Sequence, residues 1–564
     1  MKLSNSYFFT LRENVKDEDS QSGNLLVRAG MVKKTSSGVY MLLPLGLKVF
    51  QKIETIIREE MNAINSLELS MPALIAEEVF INSGRREAFG NSMFTMKDRF
   101  NKPFVLGPTH EELFVSAAQM AIHSYKDLPI SLYQFQTKFR DEPRPRFGLI
   151  RVREFVMKDA YTFDKDEAGM NASYDAMFKA YQRIFERLHL KTMVVRADTG
   201  VMGGLLSEEF QALSDIGEDI IVVQEESNYT SNIEVAACHP PLEISNEEPK
   251  TIEEVYTPNA QTIEEVSAYL KQPVTSFVKT LIYKVDDAFY ALLLRGDHEV
   301  NETKVRKLLN ASEVELASFY DVETLTKAPV GFAGPIGLEV PILMDQEVTA
   351  LANFTVGANK ADHHLINVNL KDFEVFKTAD LRNIEEGDLC ENGVGPVVFK
   401  RGIEVGNTFK LGDKYSKALD LEYLDENNTL HPVQMGSYGI GLGRCLAAIV
   451  QQNHSEKGIL WPKNLSPVQV GIVLINAKDE LQQQIGNQLY ERFNKLGYDT
   501  VLDDRNQRPG VKFNDMELIG TTVRITLGRD LVDQQVEVKA IDQDEKVLVS
   551  LDDLTTWVET YFEN

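Results

Sequence analysis

Five arginines, Arg140, Arg144, Arg146, Arg151 and Arg153, fall within fourteen residues of a chain whose formal charge is −26. A guanidinium fork suits a phosphate or carboxylate oxygen. Glu142 stands two residues beyond Arg140, so on an extended chain the two share a face. A carboxylate there can accept from an amino group such as that of adenine. Phe155 offers a flat apolar face for stacking a base. The bland alternative is a solvated sheet face with cross-strand ion pairs.

A second stretch, QMGSYGIGLGR, spans residues 434–444. Gly439, Gly441 and Gly443 alternate and leave the backbone open to close approach, and Arg444 follows at the start of an apolar helical run. The spacing is G-x-G-x-G, not the dinucleotide G-x-G-x-x-G, and no G-x-x-x-x-G-K-[ST] occurs. Close strand–helix packing is the bland alternative. A third stretch, GPTHEE at 107–112, puts the Thr109 hydroxyl and the Glu111 carboxylate across a turn, where they can hold a substrate amine. It lacks the second histidine of a zincin. A helix capping box, with Thr109 as cap and Glu112 three residues on, fits it nearly as well. Cys238-His239 has no further Cys or His nearby, so no zinc is expected.

These side chains need elements to hold them. Residues 133–142 alternate strictly, with Tyr133, Phe135, Thr137 and Phe139 on one face and Gln134, Gln136, Lys138, Arg140 and Glu142 on the other. RVREFVM at 151–157 alternates again, which predicts an antiparallel hairpin with a long loop. Leu47, Phe50, Ile53, Ile57 and Met61 recur at helical spacing within 44–63, and a strand containing Pro72 is expected after them. Seven glutamates between 243 and 265 mark a hydrated boundary region, after which an α/β pattern runs to about 400. It includes a helix at 304–310, a glycine loop GFAGPIGL at 331–338 and a strand-like LEVPILM. Past a linker at 466–469, strands and helices alternate, which predicts a mostly parallel sheet.

The 564 residues predict three or four domains. With 43% hydrophobic and 26% charged residues, no disordered class fits. The acidic balance argues against coating nucleic acid by bulk charge and leaves site-specific RNA binding open. Three distant cysteines suggest no disulfide framework and fit a reducing cytosol. The N-terminus lacks the apolar core of a signal peptide, and no apolar stretch approaches a membrane span, so a cytoplasmic protein is expected.

Together the helix and strand closing on Pro72, FRDE…RVREF, and GSYGIGLGR resemble motifs 1, 2 and 3 of class II aminoacyl-tRNA synthetases. LGPTHEE, QTKFRDEPRPRFGLIRVREFVMKDAYTF, ADTGVMGG, RGIEVGNTFKLGDKYS and RPGVKFNDMELIG are similar to segments of bacterial-type prolyl-tRNA synthetases, over nearly the whole chain. The resemblance implies a mixed α/β and α+β multidomain protein. A class II antiparallel-sheet catalytic core would occupy 1–223 and 408–465. An inserted α/β editing domain would occupy 224–407, and a C-terminal α/β anticodon-binding domain 466–564. It implies ligation of L-proline to tRNA(Pro) through a prolyl-adenylate, with ATP and Mg2+ as the substrate complex, in a homodimer without membrane contact.

The resemblance also assigns roles. Arg140 and Arg444 would be catalytic, with Arg140 touching the α-phosphate and the proline carboxylate and Arg444 the far end of ATP. Thr109, Glu111, Phe409, Gly436 and Ser437 would bind proline, Ser437 standing where some relatives carry cysteine. Glu142, Arg151, Val152, Phe155, Glu404 and Asn407 would bind ATP, with Glu404 reaching magnesium. Arg144 would touch the tRNA acceptor end. Lys279, Gly331, Gly334, Asn353 and His364 would form a pocket that hydrolyses alanyl-tRNA(Pro), with His363 an alternative to His364. Removal of 467–564 is expected to spare adenylate formation. The rival readings are a synthetase for another amino acid such as threonine, a synthetase-like protein without ligase activity, and a stand-alone deacylase.

Overall fold

The hairpin that carries the arginines forms from alternating side chains. In the computed structural model, which describes residues 1–311, 313–391, 393–543 and 545–563, strands Ile130–Phe139 and Glu154–Asp164 pair antiparallel with Gln134 opposite Asp159. Tyr133 packs into the apolar core on one side, and Gln134 and Lys138 are buried on the other. Arg151 and Arg153 precede the second strand, and a backbone bond from Arg140 to Arg153 of 2.9 Å extends the pairing past its end.

Strands Gln434–Gly441, Val398–Gly412 and Leu206–Leu213 add antiparallel to one side of this hairpin. The two-residue strand Leu67–Glu68 adds parallel to the other. Helices Pro44–Ala63, Glu167–Arg187 and Leu442–Gln452 cover one face around a core that includes Ile53, Tyr181 and Leu446. Proline at the first turn suits helix Pro44–Ala63, since the missing N–H has no intrahelical partner there. Leu47, counted on its apolar stripe, is 42% exposed, and Leu45 and Val49 take the buried positions instead. The single strand expected around Pro72 is two short strands in different sheets, Leu67–Glu68 and Leu74–Ala76. Proline has no N–H to continue a ladder, and here its carbonyl accepts from the His110 ring at 2.9 Å.

The C-terminal sheet is mixed. Val470–Leu474 lies between Thr500–Asp503 and Val523–Leu527, all parallel, and Gln535–Ala540 and Val547–Ser550 continue antiparallel. Among the described residues, only the first three strands are connected through α-helices, Glu480–Lys495 and Pro509–Leu518; the later connections are too short for a parallel crossover.

The chain divides into two units, one of residues 1–194, 199–218 and 401–564 and another of 195–198 and 219–400. The second begins and ends a few residues before the expected 224–407 limits. Its hairpin Asp219–Gln224 with Tyr229–Asn232 belongs to it. Its main sheet runs Val314–Leu316, Val278–Val285, Ala288–Arg295, Ile342–Asp345, Lys377–Ala379. A three-stranded sheet, Glu253–Tyr256, His363–Val368, Phe354–Gly357, packs a shared core with it. The expected helix at 304–310 is Glu302–Leu309. Among the described residues, no helix is long and apolar enough to cross a membrane.

Candidate active site

A cleft of about 310 Å³ opens on the sheet face opposite the helices. Thr109, Glu111, Arg140, Glu142 and Phe155 line one part of it, and Glu404, Asn407, Phe409, Ser437 and Arg444 line the rest. Residues far apart in sequence converge because antiparallel neighbours bring Asn407 opposite Gly439 and Ser437 opposite Tyr161. Gly439 and Gly441 also line the cleft; a Cβ on Gly439 would stand 3.3 Å from the Met157 sulfur, so side chains there would fill it.

At one end, Glu111 begins the helix Glu111–Gln119 and is 1% exposed. Burial alone would push its carboxyl up. The Arg85 guanidinium at 2.7 Å and the Thr109 hydroxyl outweigh burial and hold it well below the usual range. Ser437 donates to its other oxygen at 3.1 Å. Arg85, also 1% exposed, reaches Thr109 at 2.7 Å and Glu112 at 3.2 Å, with the rings of Phe80, Phe89 and Tyr415 around it. Glu112 is pushed up by burial, which its share of Arg85 does not offset. The helix cap is His110, without a side-chain cap bond, so the capping-box reading of Thr109 fails: its hydroxyl serves Arg85 and Glu111.

At the other end two guanidiniums face the cleft. Arg444 pairs with Glu404 at 2.7 Å and donates to the Ile150 carbonyl at 2.9 Å. Arg140 lies over the Phe155 ring at 5.4 Å, and its buried Nε has no hydrogen-bond partner among the described residues. Burial and Arg444 lower its pKa, so an anion in the cleft would relieve both. Glu142 accepts from Arg151 at 2.9 Å, and Asn407 donates to Glu404 at 3.4 Å.

Four assigned residues stand outside the lining. Arg151 reaches the cleft only through Glu142, Val152 is 8% exposed beside it, and Arg144 is exposed in the hairpin loop. Gly436 turns its hydrogen toward the Tyr438 hydroxyl, where a Cβ would stand at 2.1 Å, because neighbouring residues of a strand face opposite ways. Arg85 was missed in sequence because it sits on a short helix, Arg85–Phe89, with no motif around it. Also missed was a buried polar cluster at the floor of the cleft. Lys138, fully buried, bonds Asp159 at 2.9 Å and the His110 ring at 2.6 Å, while Asp159 accepts from Gln134 and Tyr161. Alternation put Lys138 on the Arg140 face but could not show that it is buried.

The second unit has its own pocket, about 230 Å³, lined by Lys279, Gly331 and His364 among apolar walls. The His364 Nδ1 lies 2.7 Å from the Thr257 hydroxyl, and burial lowers the ring's pKa to about 4. His363 is outside, its ring against Tyr256. Asn353 does not line the pocket; its amide bonds Glu247 and Glu248. Gly334 does not line it either; it packs backbone to backbone on Gly357 and is clasped by the Asn359 amide.

A third cleft, in the C-terminal part, holds Arg524, Glu517 and Lys539. Arg524 lies over Phe513 at 4.4 Å, with Nε buried and without a hydrogen-bond partner among the described residues. Arg505, Lys512 and Asp515, the polar residues at the preceding helix start, are spent internally. Arg505 pairs with Asp503 and Asp515, and buried Lys512 bonds the Leu474 carbonyl.

A family model described as the tRNA synthetase class II core domain (G, H, P, S and T) matches residues 94–453, and one for an anticodon binding domain matches 469–561. The chain is thus a class II aminoacyl-tRNA synthetase. The proline–tRNA ligase of Caldicellulosiruptor bescii is 50% identical over 541 residues, covering 96% of this chain and 94% of that one. That of Bacillus subtilis is 45% identical over 561 residues, covering 99% and 100%. Within its class the chain belongs to the proline–tRNA ligase family. A prolyl-tRNA synthetase from Cryptosporidium parvum, crystallised with halofuginone and AMPPNP, shares the fold with a TM-score of 0.59 at 15% identity, over 98% of this chain and 79% of that one.

Proposed function

We propose that this chain joins L-proline to tRNA(Pro) through a prolyl-adenylate made from ATP, and hydrolyses alanyl-tRNA(Pro) in its inserted domain. The observation that carries the first part is one cleft with an ionised, Arg85-held carboxylate at one end and, further along, the Arg140 guanidinium, whose Nε has no hydrogen-bond partner among the described residues. Opposite charges in one cleft suit an amino acid: its imino cation at Glu111 and Thr109, its carboxylate at Arg140. Phe409 and Ser437 close the space around the ring.

The proline carboxylate oxygen then attacks the α-phosphorus of ATP, and the bond to pyrophosphate breaks. Arg140 stabilises charge building on the phosphoryl oxygens, and Arg444 holds the far phosphates. Glu142 accepts from the adenine amino group while Phe155 stacks on the ring. Glu404 and Asn407 offer the hard oxygen donors that suit the magnesium ion arriving with ATP, whose charge would offset that of the phosphates. In the second step the terminal ribose hydroxyl attacks the prolyl carbonyl and AMP leaves. Arg144, exposed in the hairpin loop, would meet the tRNA acceptor end. No protein nucleophile is required. In the third cleft, Arg524 and Glu517 present a donor fork beside a carboxylate, a pairing that suits a guanine edge of the anticodon. The family resemblance supports a homodimer acting in the cytoplasm.

The editing reading rests on Lys279, Gly331 and His364 sharing a small apolar pocket. Each missing methylene discriminates by only about 1–3 kcal/mol, so alanine needs a second site that admits the smaller side chain. Water adds to the ester carbonyl, the bond to the ribose oxygen breaks, and that oxygen takes the proton.

The test is amino-acid-dependent ATP–pyrophosphate exchange with each of the twenty amino acids. Proline should give the strongest exchange and alanine a weaker one; exchange led by another amino acid would overturn the substrate. Deacylation of alanyl-tRNA(Pro) that is lost in Lys279→Ala would support editing, and its absence in the intact protein would end that reading.

A further inference from the structure

Among the described residues, the pocket of the inserted domain contains one buried hydroxyl without a hydrogen-bond partner. Val278, Thr280 and Ile282 alternate along strand Val278–Val285 and turn to the same buried face. Val278 and Ile282 join the apolar core there. Thr280 is 7% exposed and lines the pocket, and its Oγ1 is buried with no hydrogen bond among the described residues. A hydroxyl removed from water and given no partner is unfavourable, whereas valine has nearly the same shape and no such need. A buried polar atom of this kind calls for an explanation. Thr280 lines a cavity, so a ligand there can supply the partner the fold withholds once the side chain turns about χ1.

Two of the neighbouring polar atoms are already engaged. The Lys279 amine pairs with Glu299 at 2.9 Å, and the His364 Nδ1 is 2.7 Å from the Thr257 hydroxyl. The remaining walls near Thr280, such as Ala317, Val322 and Val356, are apolar. A pocket with apolar walls and one uncommitted hydroxyl fits a small aliphatic side chain joined to a polar end. An aminoacyl ester of a small amino acid has that form.

We propose that Thr280 is a substrate-binding residue of the inserted domain. Its hydroxyl hydrogen-bonds the polar end of a small aminoacyl ester whose side chain lies against Val278, Ile282 and Val356. This rests on the editing reading and adds to it the residue that recognises the substrate.

The test compares the full-length protein with its Thr280→Val and Thr280→Ser variants. Three quantities are measured: thermal unfolding, charging of tRNA(Pro) with proline, and deacylation of alanyl-tRNA(Pro). Thr280→Val should unfold at the same or a higher temperature and charge proline at the wild-type rate. Its deacylation kcat/KM should fall about tenfold, the scale of one lost hydrogen bond. Thr280→Ser, which keeps the hydroxyl, should deacylate within about threefold of wild type. Wild-type deacylation by Thr280→Val would overturn the assignment while leaving editing intact. A wild-type protein that charges proline but never deacylates alanyl-tRNA(Pro) would overturn the editing reading, and the assignment with it.

Discussion

Arg85 shows how one buried side chain sets the chemistry of its neighbours. Two carboxylates, Glu111 and Glu112, share its guanidinium away from water, and only Glu111 faces the cleft. Breaking a buried ion pair by removing one partner typically costs about 3–5 kcal/mol, so Arg85→Met should be markedly less stable in thermal or denaturant unfolding. The variant should also change proline binding in a pH-dependent way. With Arg85 present, the Glu111 carboxyl is held low, so it stays ionised across pH 5.5–8.5 and contributes no acid limb. Without Arg85, burial raises it, and binding that needs the carboxylate is lost as pH falls through the raised value. Proline KM in the exchange assay should then climb toward acid pH in Arg85→Met and stay flat in the parent. Equal KM curves would show that Glu111 does not take the imino cation. The same linkage acts on folding. A depressed carboxyl contributes stability above its ordinary range that is lost as pH falls through the folded value.

At the scale of elements, close backbone approach decides what the inserted domain can tolerate. The loop carrying Gly331 and Gly334 lies against strand Phe354–Gly357, and a Cβ on Gly334 would stand 1.7 Å from the Gly357 carbonyl oxygen. No rotamer relieves a backbone clash, so Gly334→Ala must push the loop from the strand. Amide hydrogen exchange should then quicken in 331–336 and 354–364, with the strands of the catalytic sheet unchanged. Unaltered protection around Gly357 would refute the tight packing. The glycine at this position therefore has a packing reason independent of any ligand, as expected for a residue outside the pocket lining.

For the whole molecule, the two units differ in how separable their parts are. The inserted unit has apolar cores of its own, around Ile282 and Val356 and around Leu292 and Leu343. A fragment of residues 219–400 should fold by itself, with a cooperative thermal transition and dispersed amide spectra. It would lose Asp198, which pairs with Arg306 and Lys307, and so be somewhat less stable than in the full chain. A fragment without a cooperative transition would show that its cores do not suffice. The C-terminal part is not separable in the same way. Val473, Val501 and Met516 share a core with Leu3 and Ile53, the N-terminal amine donates to Tyr490 and Thr500, and Lys52 pairs with Asp499. Removing 467–564 would open that core, which revises the expectation that such a truncation spares adenylate formation. Point variants in the third cleft, such as Arg524→Gln, avoid this difficulty.

Period-two alternation and helical spacing are local, so residues 133–142, the helix at 44–63 and the convergence of charge around Arg140 could be read from sequence. Glu111, Glu142, Phe155, Glu404, Asn407 and Arg444 were named from motifs, and strand pairing brings them to one cleft. What no local pattern contains is the direction and depth of a side chain. Whether Gly436 or Ser437 faces the cleft depends on a one-residue register, and only the paired sheet sets it. Asn353 and Gly334 stood near the right segments but turn away, toward Glu247 and Gly357. Arg85, Lys138 and Thr280 owe their significance to burial and to the partners they have or lack. Those are properties of packing between segments distant in the chain, so they exist only once the chain has folded.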